Sequence, residues 1–111
     1  MPWSVYVHPQ AQIELQALPT LERNAILHAV QKLEELGAAL PYPHSSAVMS
    51  ADRLRELRPR AGRSAWRAFY RQVGAAFIIG AIGPEAEANS RGFKRSVRAA
   101  ETRLNEVEED Q

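Results

Sequence analysis

The residues best suited to chemistry in this sequence are the arginines of its central segment. Seven of them lie within residues 51–74, a stretch with only two acids, Asp52 and Glu56, and a net charge of +5, whereas residues 1–50 and 75–111 each have a net charge of −2. A guanidinium group binds a phosphate or a carboxylate through two parallel hydrogen bonds. The segment therefore has the composition of a binding site for an anionic partner, although a GC-rich genome would also enrich arginine.

Two of these arginines share one face of a predicted strand. Residues 65–72 read as a strand, and the alternation of its side chains places Arg67 and Arg71 on the same side. We expect their guanidinium groups to converge on one phosphodiester, with Arg58 joining them from the neighbouring strand. The alternative is a pair of arginines on a solvated face without a ligand. Because a strand positions both side chains rigidly, we favour the binding site.

A second cluster of charge lies in the last predicted helix. Its first turns are basic and its end is acidic, which opposes the helix dipole by roughly 0.3 to 1 kcal/mol for each charge. Local helix stability therefore does not explain the pattern. The basic end could extend an RNA-binding surface or contact an acidic partner, and we expect the acidic end after Val107 to be frayed and solvated. The bases are Arg91, Lys94, Arg95 and Arg98, and the acids are Glu106, Glu108, Glu109 and Asp110.

Other catalytic and metal-binding patterns are weak. The three histidines, His8, His28 and His44, do not have the spacing of metal ligands. Ser45 and Ser46 follow His44 without the elbow motif or the acid partner of a serine hydrolase. The chain has no glycine-rich phosphate loop, and without cysteine it has no disulfide, thiolate nucleophile or cysteine-based zinc site. We therefore predict no metal site and no small-molecule cofactor.

The size of the chain limits its organisation. With 111 residues it is expected to form one small domain, residues 1–111, without separate cofactor and substrate domains. No apolar run approaches the roughly 20 residues of a membrane span. The first residues lack the basic and apolar regions of a signal peptide. We therefore expect a cytoplasmic protein without membrane contact.

The elements that must position the arginines begin with a strand and two helices. Residues 3–7 alternate as a strand and end before Pro9, where the apolar spacing changes to that of a short helix. Pro19 ends this helix. Thr20 is the expected N-cap of a longer second helix, which Gly37 terminates. The short connection predicts an antiparallel helical hairpin whose apolar faces cover a sheet.

The rest of the chain is predicted to contain three strands and a helix. Residues 37–52 have no clear period and are expected to be loop, and residues 60–63 are expected to turn the chain between two strands. The last strand is apolar on both faces, so we expect it to be central in the sheet, with the hairpin on one face and the final helix on the other. The predicted strands are residues 54–58, 65–72 and 77–82, and the predicted helix is about residues 90–108.

The resulting order, β-α-α-β-β-β-α, defines an α+β fold with one layer of antiparallel strands and helices packed on it. We expect the face of the sheet that carries Arg67 and Arg71 to be the functional surface. The helical hairpin is expected on the opposite face, the side of the strand that carries Trp66, Ala68 and Tyr70.

Three segments carry a resemblance that spans nearly the whole chain. They are residues 54–58 (LRELR), 66–70 (WRAFY) and 99–104 (AAETRL). In their order and spacing, together with the first strand, the helical hairpin and the apolar strand, they resemble the RelE/ParE superfamily of bacterial toxins. The sequence is most similar to its HigB-like, phage Gp49-like branch. No single segment is long, so the resemblance depends on all of them together.

The resemblance implies the toxin of a type II toxin–antitoxin pair, which binds the ribosome, cuts mRNA and is neutralised by a helix-turn-helix antitoxin. Cleavage in this family uses the RNA 2′-OH to attack the adjacent phosphate and requires no metal. Arg67 matches the strand arginine that the family uses on the phosphate, and Arg58 and Arg71 are its expected helpers. Arginine stays protonated at neutral pH, so these residues would stabilise charge, and the general base is unassigned.

The chain departs from the family at one place. Many HigB-like members carry a Phe-x-Lys-Lys stretch after the last strand, but residues 82–87 read IGPEAE here, with acids in place of bases. The later segment Phe93-Lys94-Arg95 could replace that charge, or efficient nuclease activity has been lost. The predicted RNA-binding residues are Arg55, Arg60, Arg63, Tyr70, Lys94 and Arg95.

Two other functions stay open at the level of sequence. The ParE-like branch shares the fold, lacks the nuclease residues and inhibits DNA gyrase. A further alternative is an inactive member that binds only its antitoxin or nucleic acid. The products separate the first two: a HigB-like protein stops translation, whereas ParE-like action produces DNA breaks and an SOS response.

Overall fold

The computed structural model describes residues 3–110, which form a mixed five-stranded sheet with helices on both faces. The element order confirms the predicted α+β fold, with one additional short strand. No helix within these residues is long and apolar enough to cross a membrane. The strands are β1 (Ser4–Val7), β2 (Ser45–Ala47), β3 (Arg55–Leu57), β4 (Trp66–Val73) and β5 (Ala76–Pro84). The helices are α1 (Pro9–Gln16), α2 (Thr20–Leu36) and α3 (Ser90–Glu109), and 3₁₀ turns occupy Gly37–Ala39 and Pro59–Gly62.

The strands lie in the order β1-β5-β4-β3-β2, so the apolar strand β5 is inside the sheet, as predicted. β4 pairs antiparallel with β3 and β5, but β1 runs parallel to β5. The expectation of a wholly antiparallel sheet is therefore wrong at this edge. A tight turn joins β4 to β5 and imposes an antiparallel pair, whereas β1 is separated from β5 by a long stretch of chain that permits either direction.

The additional strand lies within residues 37–52, which the sequence predicted to be loop. β2 pairs antiparallel with β3, with Ser45 opposite Leu57 and Ala47 opposite Arg55. Its three residues, SSA, are too few to show an alternating pattern, so only the pairing with β3 identifies the strand.

The helical hairpin of α1 and α2 covers one face of the sheet, as predicted. Pro9 is the first residue of α1, and Nδ1 of His8 accepts a hydrogen bond of 3.1 Å from the Gln10 amide, which caps the helix. The buried residues of this face include Ala11, Leu15, Ile26, Leu33, Leu57, Ala68, Tyr70, Phe77 and Ile79.

The ends of α2 agree with the sequence at one terminus only. Thr20 is the first helical residue and Pro19 occupies the cap position, so the prediction of Thr20 as the N-cap is wrong by one residue. Gly37 ends the helix with a φ of +55°. A Cβ at Gly37 would collide with the Trp3 ring, so both the backbone angle and the close approach require glycine.

α3 covers the opposite face and forms a second core. Oδ1 of Asn89 accepts a hydrogen bond of 2.8 Å from the Gly92 amide and begins the helix. Gly80 of β5 allows the helix to approach, because a Cβ there would lie 2.8 Å from Cγ of Leu104. Both faces of β5 are therefore covered, as its apolar sequence predicted. The buried residues of this face are Val48, Leu54, Phe69, Ala81, Val97, Ala100 and Leu104.

An ion pair completes the part of the β5 edge that β1 leaves open. β1 pairs with residues 76–79 of β5. Beyond them, Glu14 of α1 accepts a hydrogen bond of 3.0 Å from the Ile82 amide, and Arg103 of α3 donates to the Gly80 carbonyl at 2.9 Å. The two side chains also bind each other through contacts of 2.9 and 3.1 Å. They join the two helical layers and satisfy backbone groups at a free strand edge.

Candidate functional site

Arg67 lies near the start of β4 on the face that α3 covers. Its side chain is 3% exposed. It donates hydrogen bonds to the carbonyl oxygens of Gly62 (3.3 Å), Ser64 (2.7 Å) and Trp66 (3.0 Å). The arginine predicted to bind phosphate is therefore held by acceptors from residues close to it in the chain.

The carboxylate of Glu56 joins Arg67 to Arg58. Oε1 of Glu56 accepts a hydrogen bond of 2.9 Å from Arg58 and lies 3.5 Å from Nε of Arg67. The register explains this, because Glu56 lies opposite Phe69 and its side chain shares the face of Arg67. A second carboxylate, that of Glu85, lies 4.0 Å from Nη2 of Arg67. Two guanidinium groups thus share one carboxylate, an arrangement that binds an anion between them.

The electrostatics of Arg67 reflect this enclosure. Burial lowers the pKa of Arg67 from its ordinary value, and the positive charge of Arg58 adds to the effect, while Glu56 and Glu85 oppose it. The guanidinium group stays protonated, as arginine does in proteins. Its Nε, like that of Arg71, is buried and has no hydrogen-bond partner among residues 3–110, and such donors are rare. The Nε of Arg67 lies beside a carboxylate that a second arginine shares, so an oxyanion that displaces Glu56 gains this donor.

Arg58 is positioned by the segment that precedes β2. Its Nε donates to the Pro43 carbonyl at 2.9 Å, and its guanidinium group lies over the Tyr42 ring at 5.2 Å from the centroid. Gly62 leaves room for it, because a Cβ there would lie 2.5 Å from Nη2 of Arg58. These contacts direct Arg58 towards Glu56.

Residues 59–64, which we call the arginine turn, have an unusual backbone next to Arg67. Arg60 and Ala61 have φ values of +55° and +56°, and Gly62 has +91°. Such angles are uncommon outside glycine, and strained backbone concentrates at functional sites. Arg67 holds the turn at the Gly62 carbonyl, and Arg60 donates to Glu22 of α2 at 3.0 Å. Hydrogen bonds to this carboxylate, that of Arg60 above all, lower the pKa of Glu22.

Arg71 is buried to the same extent as Arg67 but has different partners. Its Nη1 donates to Oδ1 of Asn105 (2.8 Å) and to Oε1 of Glu108 (2.7 Å), both in α3. Phe69 lies between the two arginines on β4 and packs against α3. Arg67 and Arg71 share no partner, so the expectation that they converge on one phosphodiester is wrong.

The acidic end of α3 is helical as far as Glu109, and the expectation of a frayed, solvated end after Val107 is wrong. Glu108 accepts two hydrogen bonds from Arg53, of 2.9 and 3.0 Å, in addition to that from Arg71. These bonds, that of Arg53 first, lower the pKa of Glu108. Two arginines from other parts of the chain thus neutralise a charge that would oppose the helix dipole.

The other predicted RNA-binding residues are exposed, with one exception. Arg55 lies on β3, Arg60 and Arg63 lie in the arginine turn, and Lys94 and Arg95 lie on α3.

Tyr70 is the exception. It is 2% exposed and lies on the hairpin face, where its hydroxyl and that of Ser45 form a hydrogen bond of 2.5 Å. Its ring is therefore inaccessible to a base, and the prediction that Tyr70 binds RNA is wrong.

Sequence reasoning missed the acids that surround the arginines. Glu56 and Leu57 are neighbours on β3, so their side chains point to opposite faces of the sheet. Once β3 is paired with β4, this alternation places Glu56 on the face that carries Arg67. Glu85 and Glu108 had no local signal, because folding alone brings them to Arg67 and Arg71. Within residues 3–110 no group of three or more acidic or histidine side chains could hold a metal ion.

A groove of about 770 Å³ lies on the hairpin side, between α2 and the segment around β3. Its floor includes Ala29 and Leu57, and Arg58 and Arg60 line it. Arg67 does not line this groove. Arg58 lines the groove and also donates a hydrogen bond to Glu56, the carboxylate beside Arg67, so it connects the groove with the Arg67 site.

Comparison with known proteins places the chain in a family and a fold. Residues 13–79 match the family described as phage derived protein Gp49-like (DUF891). The E. coli toxin RelE, solved in the free state as a double arginine-to-alanine variant, has a TM-score of 0.60 and 16% identity over 86% of this chain and 98% of that chain. A chain of the archaeal RelE–RelB complex from Pyrococcus horikoshii has a TM-score of 0.55 and 22% identity over 76% of this chain and 96% of that chain. No curated protein matches the sequence.

The two solved structures share the fold of this chain, and sequence identities of 16% and 22% are evidence for a common fold only. The family match extends from α1 into β5 and covers more than half of the chain. It includes two of the three segments, 54–58 and 66–70, on which the resemblance depends. The chain therefore belongs to the phage-derived Gp49-like family and has the RelE fold, as the order and spacing of its segments predicted.

Proposed function

We propose that the chain is the toxin of a type II toxin–antitoxin pair and that it cleaves mRNA on the ribosome. Its partners are then a helix-turn-helix antitoxin, the ribosome and mRNA. The observation that carries the proposal is the shared carboxylate of Glu56, which lies between the guanidinium groups of Arg58 and Arg67. A phosphodiester carries the same charge as a carboxylate and binds the same donors. In the proposed complex an RNA phosphate takes the place of the Glu56 carboxylate.

The proposed reaction needs charge stabilisation at this position. The RNA 2′-OH loses its proton as its oxygen bonds to the adjacent phosphorus, the bond from phosphorus to the 5′-oxygen breaks, and the leaving 5′-oxygen takes up a proton from water. Negative charge develops on the phosphoryl oxygens during this step. Arg67, through its free Nε, and Arg58 stabilise that charge. Neither removes the 2′-OH proton, because a guanidinium group is already protonated at neutral pH and cannot accept another proton. The Glu85 carboxylate, and the Glu56 carboxylate once the phosphate has displaced it, are the nearby groups that can accept this proton.

Arg71 has no direct part in this proposal. Its guanidinium group donates hydrogen bonds to Asn105 and Glu108 of α3, and Phe69 separates it from Arg67 along β4. It supports the face of the sheet on which Arg67 lies.

A second candidate is a family member without nuclease activity, and the acids around Arg67 favour it. Glu85, 4.0 Å from Arg67, lies in the segment where many HigB-like members carry lysines. Nη1 and Nη2 of Arg67 already donate hydrogen bonds to backbone carbonyl oxygens. If these contacts persist in the complex, no phosphate reaches Arg67, and the protein acts by gyrase inhibition or by binding alone.

Inducible expression in a bacterial host tests the proposal, with growth, mapped mRNA 5′ ends and DNA breaks as readouts. We expect the wild-type protein to arrest growth and to cut translated messages. Arg67→Ala should lower cleavage by about 100-fold, the loss typical of removing one preorganised donor to a developing charge. Arrest with DNA breaks and intact mRNA would contradict cleavage and support gyrase inhibition, and no arrest would support a binding-only member.

The control variant has to separate chemistry from folding, because Arg67 also holds the arginine turn. Arg71→Ala removes an equally buried arginine from the same strand face. We expect Arg71→Ala to lower the amount of folded protein, measured by circular dichroism of the purified variant, but not the cleavage per folded molecule. Equal losses of specific cleavage in both variants would contradict the assignment of Arg67.

The role of Glu56 is tested separately. Glu56→Gln leaves a neutral amide between the two arginines, which competes less well with phosphate. We expect tighter binding of a non-cleavable 2′-O-methylated RNA, measured by fluorescence anisotropy. Weaker binding would show that Glu56 positions the arginines instead of occupying the place of the phosphate.

A further inference from the structure

We infer that the outer face of α3 binds the phosphate backbone of RNA through four cations, which we call the α3 stripe. This inference rests on the proposed function in taking RNA as the ligand, and it adds a surface separate from Arg67. The cations occupy positions i, i+3, i+4 and i+7 and therefore lie on one face of the helix. The α3 stripe consists of Arg91, Lys94, Arg95 and Arg98, all exposed.

The α3 stripe faces away from the sheet. The opposite face of the helix carries Val97, Ala100 and Leu104, which are buried against β4 and β5. At 1.5 Å per residue the stripe is roughly 10 Å long, a length that matches about three nucleotides of a stacked strand at 3.4 Å each. Several neighbouring phosphates can therefore be bound at once.

The fold itself does not use these charges. Among residues 3–110, the side chains of the α3 stripe form no ion pair and donate no hydrogen bond, whereas six other arginines are paired with carboxylates. Like charges four residues apart on a helix repel each other, and cations at its N-terminal end oppose the dipole. An anion from outside the chain accounts for a pattern that the folded chain alone leaves unfavourable.

The surroundings of the α3 stripe favour a nucleic acid over a protein. Protein interfaces depend on apolar or aromatic side chains that are buried at their centre. Contacts to phosphates need only cations. The large exposed apolar residues of the described chain all lie outside α3, and they are Tyr6, Ile13, Leu21, Leu27, Leu36, Tyr42 and Met49.

The α3 stripe begins at the end of the sheet that holds Arg67. Trp66 at the start of β4 pairs with Pro84 at the end of β5, and the Glu85 amide donates to the Ala65 carbonyl at 2.8 Å. The segment that leads into α3 therefore lies next to the arginine turn. An RNA strand bound along the α3 stripe is directed towards the proposed phosphate site.

The salt dependence of RNA binding tests this inference. The probe is a fluorescein-labelled, 2′-O-methylated RNA hairpin, which cannot be cleaved through its 2′-OH, and the readout is anisotropy over a series of KCl concentrations. Affinity falls as salt rises, and each lost phosphate contact makes the slope of log affinity against log salt less steep by about 0.7 to 0.9. We expect the slope for the double variant Lys94→Gln/Arg95→Gln to be less steep than that of the wild type by roughly 1.4 to 1.8.

The matched control is Arg23→Gln/Lys32→Gln on α2, which removes the same charge from another surface and should leave the slope unchanged. An equal slope for the wild type and the α3 variant would overturn the inference, whatever the growth assay shows. Loss of binding to a labelled oligoglutamate peptide with an unchanged RNA slope would also overturn it and assign the α3 stripe to an acidic protein. A less steep RNA slope without mRNA cleavage in cells would support the α3 stripe and contradict only the proposed nuclease.

Discussion

Arg67 and Arg71 are the same type of residue, on the same face of β4, with the same 3% exposure, yet they connect different parts of the molecule. The carbonyl acceptors of Arg67 lie one, three and five residues away in the chain. The side-chain acceptors of Arg71 lie 34 and 37 residues away, in α3. Residue type, burial and strand position therefore do not determine the role of a buried arginine, and the origin of its acceptors does.

This difference has consequences for stability and for the site. Arg71 ties α3 to the sheet, so we expect its loss to affect the whole fold. Arg67 holds a local turn, so we expect its loss to affect the arginine turn and leave the rest of the fold intact. The positions around each arginine provide four tests, from the largest expected effect to the smallest.

Replacement of Arg71 should be the most destabilising change. Arg71→Met removes the hydrogen bonds that join β4 to Asn105, Glu108 and the Asp52 carbonyl, and we expect the free energy of unfolding to fall by about 3 kcal/mol, since hydrogen bonds of charged groups contribute about 1.5 to 3 kcal/mol. Urea unfolding measures this. Arg53→Gln removes the exposed arginine from the same carboxylate and should cost much less. Equal losses would show that burial of Arg71 adds nothing.

Substitution of two glycines, one before β4 and one after it, compares how tightly the backbone is packed at the two ends of the strand. Gly62 in the arginine turn and Gly74 after β4 both have positive φ, but only at Gly62 would a Cβ meet a side chain, that of Arg58. We expect Gly62→Ala to lower the free energy of unfolding by about 2 kcal/mol and Gly74→Ala by about 1 kcal/mol, the cost of the left-handed conformation alone. Thermal unfolding of both variants gives the comparison. A larger loss for Gly74→Ala would contradict a tightly packed turn.

Loss of Arg67 should act locally. Arg67→Met removes the donors to the turn carbonyls, but the backbone hydrogen bonds that the Gly62 and Ser64 amides donate remain, so we expect a loss of only about 1 kcal/mol. Hydrogen exchange should become faster at the amides of Gly62 and Ser64, which close the arginine turn. Amides of α3 serve as the control. Faster exchange throughout α3 would show that Arg67 stabilises the whole fold, as we expect of Arg71.

The smallest effect concerns acid. Because the hydrogen bonds from Arg53 and Arg71 lower the pKa of Glu108 in the folded state, its stabilising contribution is complete above the ordinary glutamate pKa of about 4.3 and is lost as the pH falls through the lower folded value. Urea unfolding at several pH values should therefore show a weaker acid dependence for Glu108→Gln than for the wild type. Glu109→Gln, at an exposed neighbour, is the control. An identical acid dependence for Glu108→Gln and the wild type would contradict this role of Glu108.

Local patterns were sufficient for most of the fold. The change of period at Pro9, the break at Pro19 and the stop at Gly37 predicted the helical hairpin, and the two-sided apolar sequence of β5 predicted a strand covered on both faces. The errors occurred where a long-range contact decides the structure. β2 exists because β3 pairs with it, and the direction of β1 depends on β5, far along the chain.

The candidate site divides in the same way. The alternation of residues 65–72 correctly placed Arg67 and Arg71 on the face opposite the hairpin, and it placed Tyr70 on the hairpin face, where burial removes it from any RNA. The direction in which each guanidinium group points was not predictable, because it depends on acceptors that other elements supply. The family resemblance led to Arg67, but it did not reveal that Glu56 and Glu85 lie beside it.

The sequence by itself determined the elements, the two faces of the sheet and the family, because these depend on apolar periodicity and on short segments in a given order. Only the tertiary structure decided which arginines are available to a ligand. An arginine side chain is long and binds any acceptor within reach, so its role depends on the carboxylates and carbonyls that folding brings near it. Within the described residues, 3–110, folding supplies acceptors to Arg67 and Arg71 and leaves the cations on the outer face of α3 without them.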